Sequence, residues 1–74
     1  MAKNTKLRDL MLELVREIAD KGIYWDEAAA QFEKQFIQHT LAKNAGNVRR
    51  SAKEMGIHRN TLARKITLYG IGRK

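Results

Sequence analysis

The chain has 74 residues, no cysteine, no proline and a formal net charge of +7. A chain this short is one small domain, residues 1–74, with a limited core, and firm stability calls for a disulfide, a metal or a partner subunit. Without cysteine there is no disulfide and no thiolate metal site, and His39 and His58 stand far apart with no carboxylate cluster beside either, so no metal and no cofactor is expected and oligomerisation is the staple that remains.

Taken in chain order, the sequence predicts four helices and an all-α fold. Leu7, Leu10, Met11, Leu14, Val15 and Ile18 recur at the i, i+3, i+4, i+7 spacing of one helical face. Asn4 or Thr5 is placed to cap this first helix, and Gly22 to end it in a left-handed conformation. Glu13 with Arg16 and Glu17 with Lys21 are spaced to pair on the solvated side. Leu12 falls off the stripe, so the helix is apolar on more than one side, which favours a partner chain. "IYW", residues 23–25, is a short apolar connection, after which Asp26 and Glu27 sit where a helix start favours negative charge. The second helix runs through Ala28, Ala29, Phe32, Phe36, Ile37, Thr40 and Leu41, and Gly46 closes it. Its aromatics read as core packing and carry no cofactor signal, and His39 reads as a partly buried packing residue.

Asn47 is a good N-cap for a short third helix with Val48, Ala52 and Met55 on one face. Gly56 stops that helix and Ile57 fills the turn. The fourth helix runs from about His58 to Tyr69, with Leu62 and Ile66 inward, and Gly70 ends it. Two short helices joined by a tight glycine turn form a helix-turn-helix. The small side chain of Ala52 lets the pair cross closely, Gly56 takes the backbone conformation that the turn needs, and Val48, Met55, Ile57, Leu62 and Ile66 wedge the helices together. Arg59, Asn60, Ala63 and Arg64 are then left pointing outward.

The charge follows the same division. Residues 1–37 hold six Lys/Arg and seven Asp/Glu, whereas residues 38–74 hold nine Lys/Arg and one acid, Glu54. A mixed-charge scaffold joined to a nearly acid-free basic half suggests a polyanion-binding surface. Lys43 and Lys53 read as solvated residues at the edge of that field, and Arg73 and Lys74 as a tail that adds charge without geometry.

"GNVRRSAKEMGIHRNTLARKITLYGI", residues 46 to 71, resembles the C-terminal helix-turn-helix of the Fis family, the module that also ends enhancer-binding activators of the NtrC type. The Gly-Asn opening, the Ala-x-x-x-Gly turn, "RNTL" and the closing "YGI" all match, and "FEKQFIQHTL", residues 32 to 41, resembles the helix that precedes the motif. The resemblance implies a bacterial, cytoplasmic, nucleoid-associated protein that binds double-stranded DNA with sequence preference as a homodimer. Residues 5–45 would supply dimerisation helices, the first two helices of each chain forming an intertwined four-helix core, and residues 47–70 the helix-turn-helix. Recognition helices set closer than successive major grooves would bend the DNA. The implied interface comprises Leu7, Leu10, Met11, Leu14, Val15, Ile18, Phe32 and Phe36. The resemblance puts Asn47, Arg49 or Arg50, His58 and Thr61 toward phosphates, Arg59 as base reader and Arg64 facing the groove, and Asn60 and Lys65 complete the expected DNA-binding residues. Two departures stand out: Ala63 occupies a position where some relatives are basic, and His58 replaces a better-capping asparagine.

The chain meets the first helix almost at once, at Lys3-Asn4-Thr5, so no counterpart is expected of the N-terminal extension through which full-length Fis contacts recombinases. A free-standing regulator of transcription or nucleoid organisation is expected, with the excised C-terminal domain of an NtrC-type activator as the alternative. An enzyme is not expected, because Ser51 and Thr61 are explained by the turn and paired carboxylates are missing from the basic half. A membrane-surface or protein-interaction helix would need Leu62, Ile66 and Tyr69, which the turn already uses. No apolar run exceeds three residues, and no secretory leader is evident. Single-stranded RNA readers display exposed aromatics, of which the basic half has only Tyr69.

Overall fold

The computed structural model describes residues 5–72, the side chain of Thr5 aside. Asn4 and residues 73 and 74 therefore lie outside the described residues, as does any capping by the Thr5 side chain. The protein is all-α, with α1 Thr5–Asp20, α2 Trp25–Lys43, α3 Val48–Met55 and α4 Arg59–Tyr69.

α2, α3 and α4 pack on one another. Their core is small: Ile37 of α2, Ala52 of α3, Leu62 of α4 and Ile71 beyond α4 are buried, with Leu41, Val48, Met55, Ile57, Ile66 and Tyr69 packed round them. Leu62, fully enclosed, contributes about 2 kcal/mol by leaving water. Ala52 is the close-crossing residue expected, since a larger side chain at that buried place would force α3 away from its neighbours.

Helix ends explain the rest of the core. At α3 the Gly56 N–H donates to Lys53 O (3.2 Å) and the Ile57 N–H to Ala52 O (3.0 Å), with Gly56 left-handed at φ 73°. This pairing satisfies the last carbonyls and folds the next apolar side chain back over the helix. α4 ends in the same way, the Ile71 N–H donating to Ile66 O at 3.0 Å, and so Ile71 enters the core although it follows the last helix. α1 also ends in this way, at Gly22 as expected. α2 departs from expectation. The left-handed residue is Ala45 (φ 54°), and Gly46 (φ 81°) is the residue after it, donating to Leu41 O at 2.8 Å.

Other boundaries shift by a residue. Trp25 opens α2 behind Tyr24 as N-cap, rather than belonging to the connection, because Asp26 and Glu27 already lie in the first turn where the helix dipole favours acids. α4 begins at Arg59, with His58 outside it as the cap. His39 is exposed, not a packing residue; it lies on the side of α2 away from Ile37 and Thr40. Of the two expected surface pairs on α1, Lys21 and Glu17 approach at 3.6 Å, and Glu13 and Arg16 form no ion pair among the described residues.

α1 stands largely off this three-helix unit. Leu7, Leu10, Met11, Leu12, Leu14 and Val15 are between 44% and 58% exposed, and Ile18 is half-buried. Phe32 and Phe36 on α2, expected in the core, are 50% and 47% exposed and meet edge to face with ring centres 5.7 Å apart. A groove of ≈ 500 Å³ between α1 and α2 is lined by Leu14, Ile18, Ile23, Ala28 and Phe32 among others. The Cα radius of gyration is 14.1 Å, against about 11 Å for a compact domain of this length.

Candidate nucleic-acid interface

The described arginines of the basic half stand at the start of α3 and on α4, and all are exposed. The Asn47 side-chain oxygen accepts from the Arg50 N–H at 3.0 Å, which caps α3 as expected. Arg49 and Arg50 occupy the exposed first turn of α3. His58 caps α4 through its ring: Nδ1 accepts from the Asn60 N–H at 3.0 Å. An accepting Nδ1 in a neutral imidazole leaves the proton on Nε2, so the exposed ring keeps a donor as well as the cap.

On α4, Arg59, Asn60, Ala63 and Arg64 are exposed, as the inward set required, and Thr61 is half-buried. None of Arg49, Arg50, Arg59 and Arg64 is in an ion pair among the described residues. The one acid of the basic half is taken up elsewhere. Glu54 pairs with Lys43 at 3.3 Å and accepts from Asn44 at 3.3 Å, and those two contacts, Asn44 first, hold its carboxyl below the usual range. Arg49, Arg59 and Arg64 thus have no acid paired with them among the described residues, and Arg50 adds a weaker pull on the same Glu54 carboxyl. Lys43 is exposed, as expected, and also takes part in this surface pair with Glu54.

Lys65 is differently placed. It turns toward α2, where Nζ donates to Glu33 Oε1 at 2.9 Å, and the Tyr69 hydroxyl donates to the same oxygen at 2.7 Å. These hydrogen bonds lower the Glu33 carboxyl, and they raise the Lys65 ammonium and the Tyr69 hydroxyl. Sequence reasoning missed Glu33, since its partners lie more than thirty positions away and no local spacing announces them. Tyr69 is consequently no stacking platform: its hydroxyl is occupied and its ring packs on the core.

A second polar seam fixes α3 on α2. Asn44 donates to Thr40 O (3.0 Å) and to Ser51 Oγ (3.3 Å), and Ser51 Oγ donates to Thr40 O (3.5 Å). Ser51 is fully buried, yet its hydroxyl is satisfied, as a buried polar group must be. It is a packing residue and no nucleophile's base stands beside it. Among the described residues no group of three or more His, Cys, Asp or Glu could hold a metal ion, and no helix is long and apolar enough to cross a membrane.

Two short helices, capped and crossed at an alanine with the second presenting arginines outward, define a helix-turn-helix of the DNA-binding class. Residues 28–69 match the family model described as "Bacterial regulatory protein, Fis family". That match takes in α3, α4 and nearly all of α2, and the chain belongs to this family. It carries the family's DNA-binding helix-turn-helix, a regulatory domain and not an enzyme family. Comparison with curated proteins and with solved structures gives no match.

Proposed function

We propose that the chain is a homodimeric regulator that binds double-stranded DNA with sequence preference, bends it, and acts in transcription or nucleoid organisation in the bacterial cytoplasm. The observation that carries this is that Arg49 and Arg50 at the start of α3 and Arg59 and Arg64 on α4 are all exposed and none is in an ion pair among the described residues. In this arrangement α4 enters the major groove, α3 crosses the backbone, and Asn47, His58 Nε2 and Thr61 meet phosphates. Lys65, held by Glu33, approaches the duplex from the side of α2 and adds field more than contact.

Dimerisation is supported by surface. The chain exposes 6480 Å², whereas a folded monomer of 8.5 kDa exposes about 4700 Å². Two such excesses together reach about 3600 Å², within the range of obligate homodimers. Every exposed large hydrophobic among the described residues except Leu68 falls between Leu7 and Phe36. A pairing of α1 and α2 with their copies would cover that stretch, the interface comprising Leu7, Leu10, Met11, Leu14, Val15, Ile18, Phe32 and Phe36.

Duplex binding followed across salt concentration tests the proposal. With Arg49, Arg50 and Arg64 from each of two chains on phosphates, affinity should fall about a thousandfold between about 50 and about 200 mM salt. A slope near one released ion per dimer would overturn it. Sites with a flexible or narrow-groove centre should bind best although nothing touches that centre, and equal affinity for A/T-rich and G/C-rich centres would remove the bending.

A further inference from the structure

The outer face of α4 carries two side chains that phosphate contacts do not use. Asn60 lies in the first turn and is exposed. Its backbone N–H is already taken by His58 Nδ1 at 3.0 Å, and its carboxamide makes no hydrogen bond among the described residues. Ala63, also exposed, follows three positions on, so the two lie one above the other on the same side of the helix. Ala63 is also one turn beyond Arg59. A methyl at that place leaves α4 room to sit deep, where a long side chain would hold it off.

The chemistry of these two groups is narrow. A carboxamide offers one donor beside one acceptor, the complement of adenine N6 and N7 in the major groove. An alanine offers only a methyl, and the only apolar mark in that groove is the thymine C5-methyl. The axial rise over three helical residues is about 4.5 Å, and successive base pairs are about 3.4 Å apart. Side chains at 60 and 63 therefore address neighbouring base pairs.

Resting on the duplex-binding reading above, we infer that Asn60 and Ala63 form a second reading element, which selects A·T pairs beside the guanine taken by Arg59. Asn60 pairs with an adenine through N6 and N7, and the Ala63 methyl packs on a thymine methyl of the adjoining pair. Two residues that carry no charge thus contribute specificity rather than affinity for phosphate.

The test begins with duplexes selected by the wild-type chain, in which each half-site should show a guanine flanked by A·T pairs. In the selected duplex the flanking adenine is then replaced by 7-deazaadenine, which lacks N7, and the thymine by uracil, which lacks the methyl. Per half-site, 7-deazaadenine should weaken wild-type binding about tenfold and the Asn60→Ala variant by less than about twofold. Uracil should weaken wild-type binding about fourfold and leave the Ala63→Gly variant nearly unchanged. Glycine also loosens a helix, so the quantity read is the ratio between natural and analogue duplex within one variant. Selected sites without A·T preference beside the guanine would overturn the inference, as would analogue losses equal in wild type and variants. A wild-type chain that binds no duplex would overturn the DNA-binding reading too, whereas equal binding of natural and analogue duplexes overturns this inference alone.

Discussion

Replacing Ala45 with glycine should stabilise the protein, and replacing Gly56 with alanine should destabilise it by a similar amount. Both residues occupy the same place in the same helix-ending motif. Each donates its N–H to the carbonyl three residues back, at 3.3 Å for Ala45 and 3.2 Å for Gly56, and the following N–H reaches five residues back, at 2.8 and 3.0 Å. Each is left-handed, at φ 54° and φ 73°. A side chain there costs about 1–2 kcal/mol, of which about 0.4–1 kcal/mol is offset because alanine loses less freedom than glycine on folding. Sterics leave the sum unchanged: a Cβ built at Gly56 meets nothing within 4 Å, and the Ala45 methyl is exposed. Each swap is therefore worth about 1 kcal/mol, with opposite sign, or a shift in melting temperature of about 4–8 °C for a chain of this size. Denaturant unfolding followed by far-ultraviolet circular dichroism measures this, at matched protein concentration because association adds to apparent stability. Gly56→Asn should fall between wild type and Gly56→Ala, since asparagine tolerates the left-handed region better. An Ala45→Gly protein no more stable than wild type would refute the reasoning, as would a Gly56→Ala loss above about 3 kcal/mol, which would require a steric clash that the turn does not contain.

The remaining predictions concern the two halves and the tie between them. Leu14→Asp, placing a charge on the apolar side of α1, should yield a monomeric or unfolded chain with weak DNA binding; sedimentation showing the native chain to be a stable folded monomer would count against the dimer. Arg59→Ala should cost about 1–3 kcal/mol of binding and relax preference at one base pair in each half-site, while Thr61→Val should weaken all sequences alike, both read by binding to panels of variant duplexes. Glu33→Gln should change how stability depends on pH. The Glu33 carboxyl is lowered from 4.5 chiefly by the Lys65 and Tyr69 hydrogen bonds, so its contribution is full above that value and fades as pH falls through the lowered one. Tyr69 and Lys65 are raised from 10.0 and 10.5, mainly by Glu33, so their share is full below those values and is lost as pH rises through the raised ones. The stability difference between wild type and Glu33→Gln should accordingly shrink toward both extremes, and a difference constant across pH would contradict the contact.

The helix-turn-helix was legible in the sequence because its determinants are local. Asn47 as cap, Ala52 at the crossing, Gly56 in the turn and the inward set of Val48, Met55, Ile57, Leu62 and Ile66 all fall within about twenty consecutive positions, and periodicity reports such relations directly. Three features were not legible, for different reasons. Ala45 has no propensity for the left-handed region, and Gly46 beside it offered a more obvious end to α2. Ile71 lies past the last helix, and only the folding back of the chain at Gly70 brings it inside. The contacts of Glu33 with Lys65 and Tyr69 join residues 32 and 36 positions apart, a separation across which sequence spacing carries no signal. Phe32 and Phe36, read as core packing, are half exposed in this chain: periodicity identifies an apolar face, not whether anything covers it.

That last distinction bears on how the two halves would work together, and α2 is where they meet. One side of α2 belongs to the DNA-binding unit, through Ile37 and Thr40 in the interior and Asn44 in the seam with Ser51 and Glu54. The side bearing Phe32 and Phe36 is half exposed and continues the apolar stretch of α1. If two copies join there, α2 is the strut that fixes how far apart and at what angle the two recognition helices lie. Glu33, next to Phe32 in the chain, grips α4 at Lys65 and Tyr69, one turn apart on that helix. The grip is surface-exposed and contributes little to overall stability, but it acts on orientation. A small rotation of α4 about its axis would swing Arg59, Asn60 and Ala63 together relative to a duplex bound there. Loss of Glu33 should therefore blur discrimination between half-sites more than it weakens the fold, and that separation of effects distinguishes an orienting contact from a merely stabilising one.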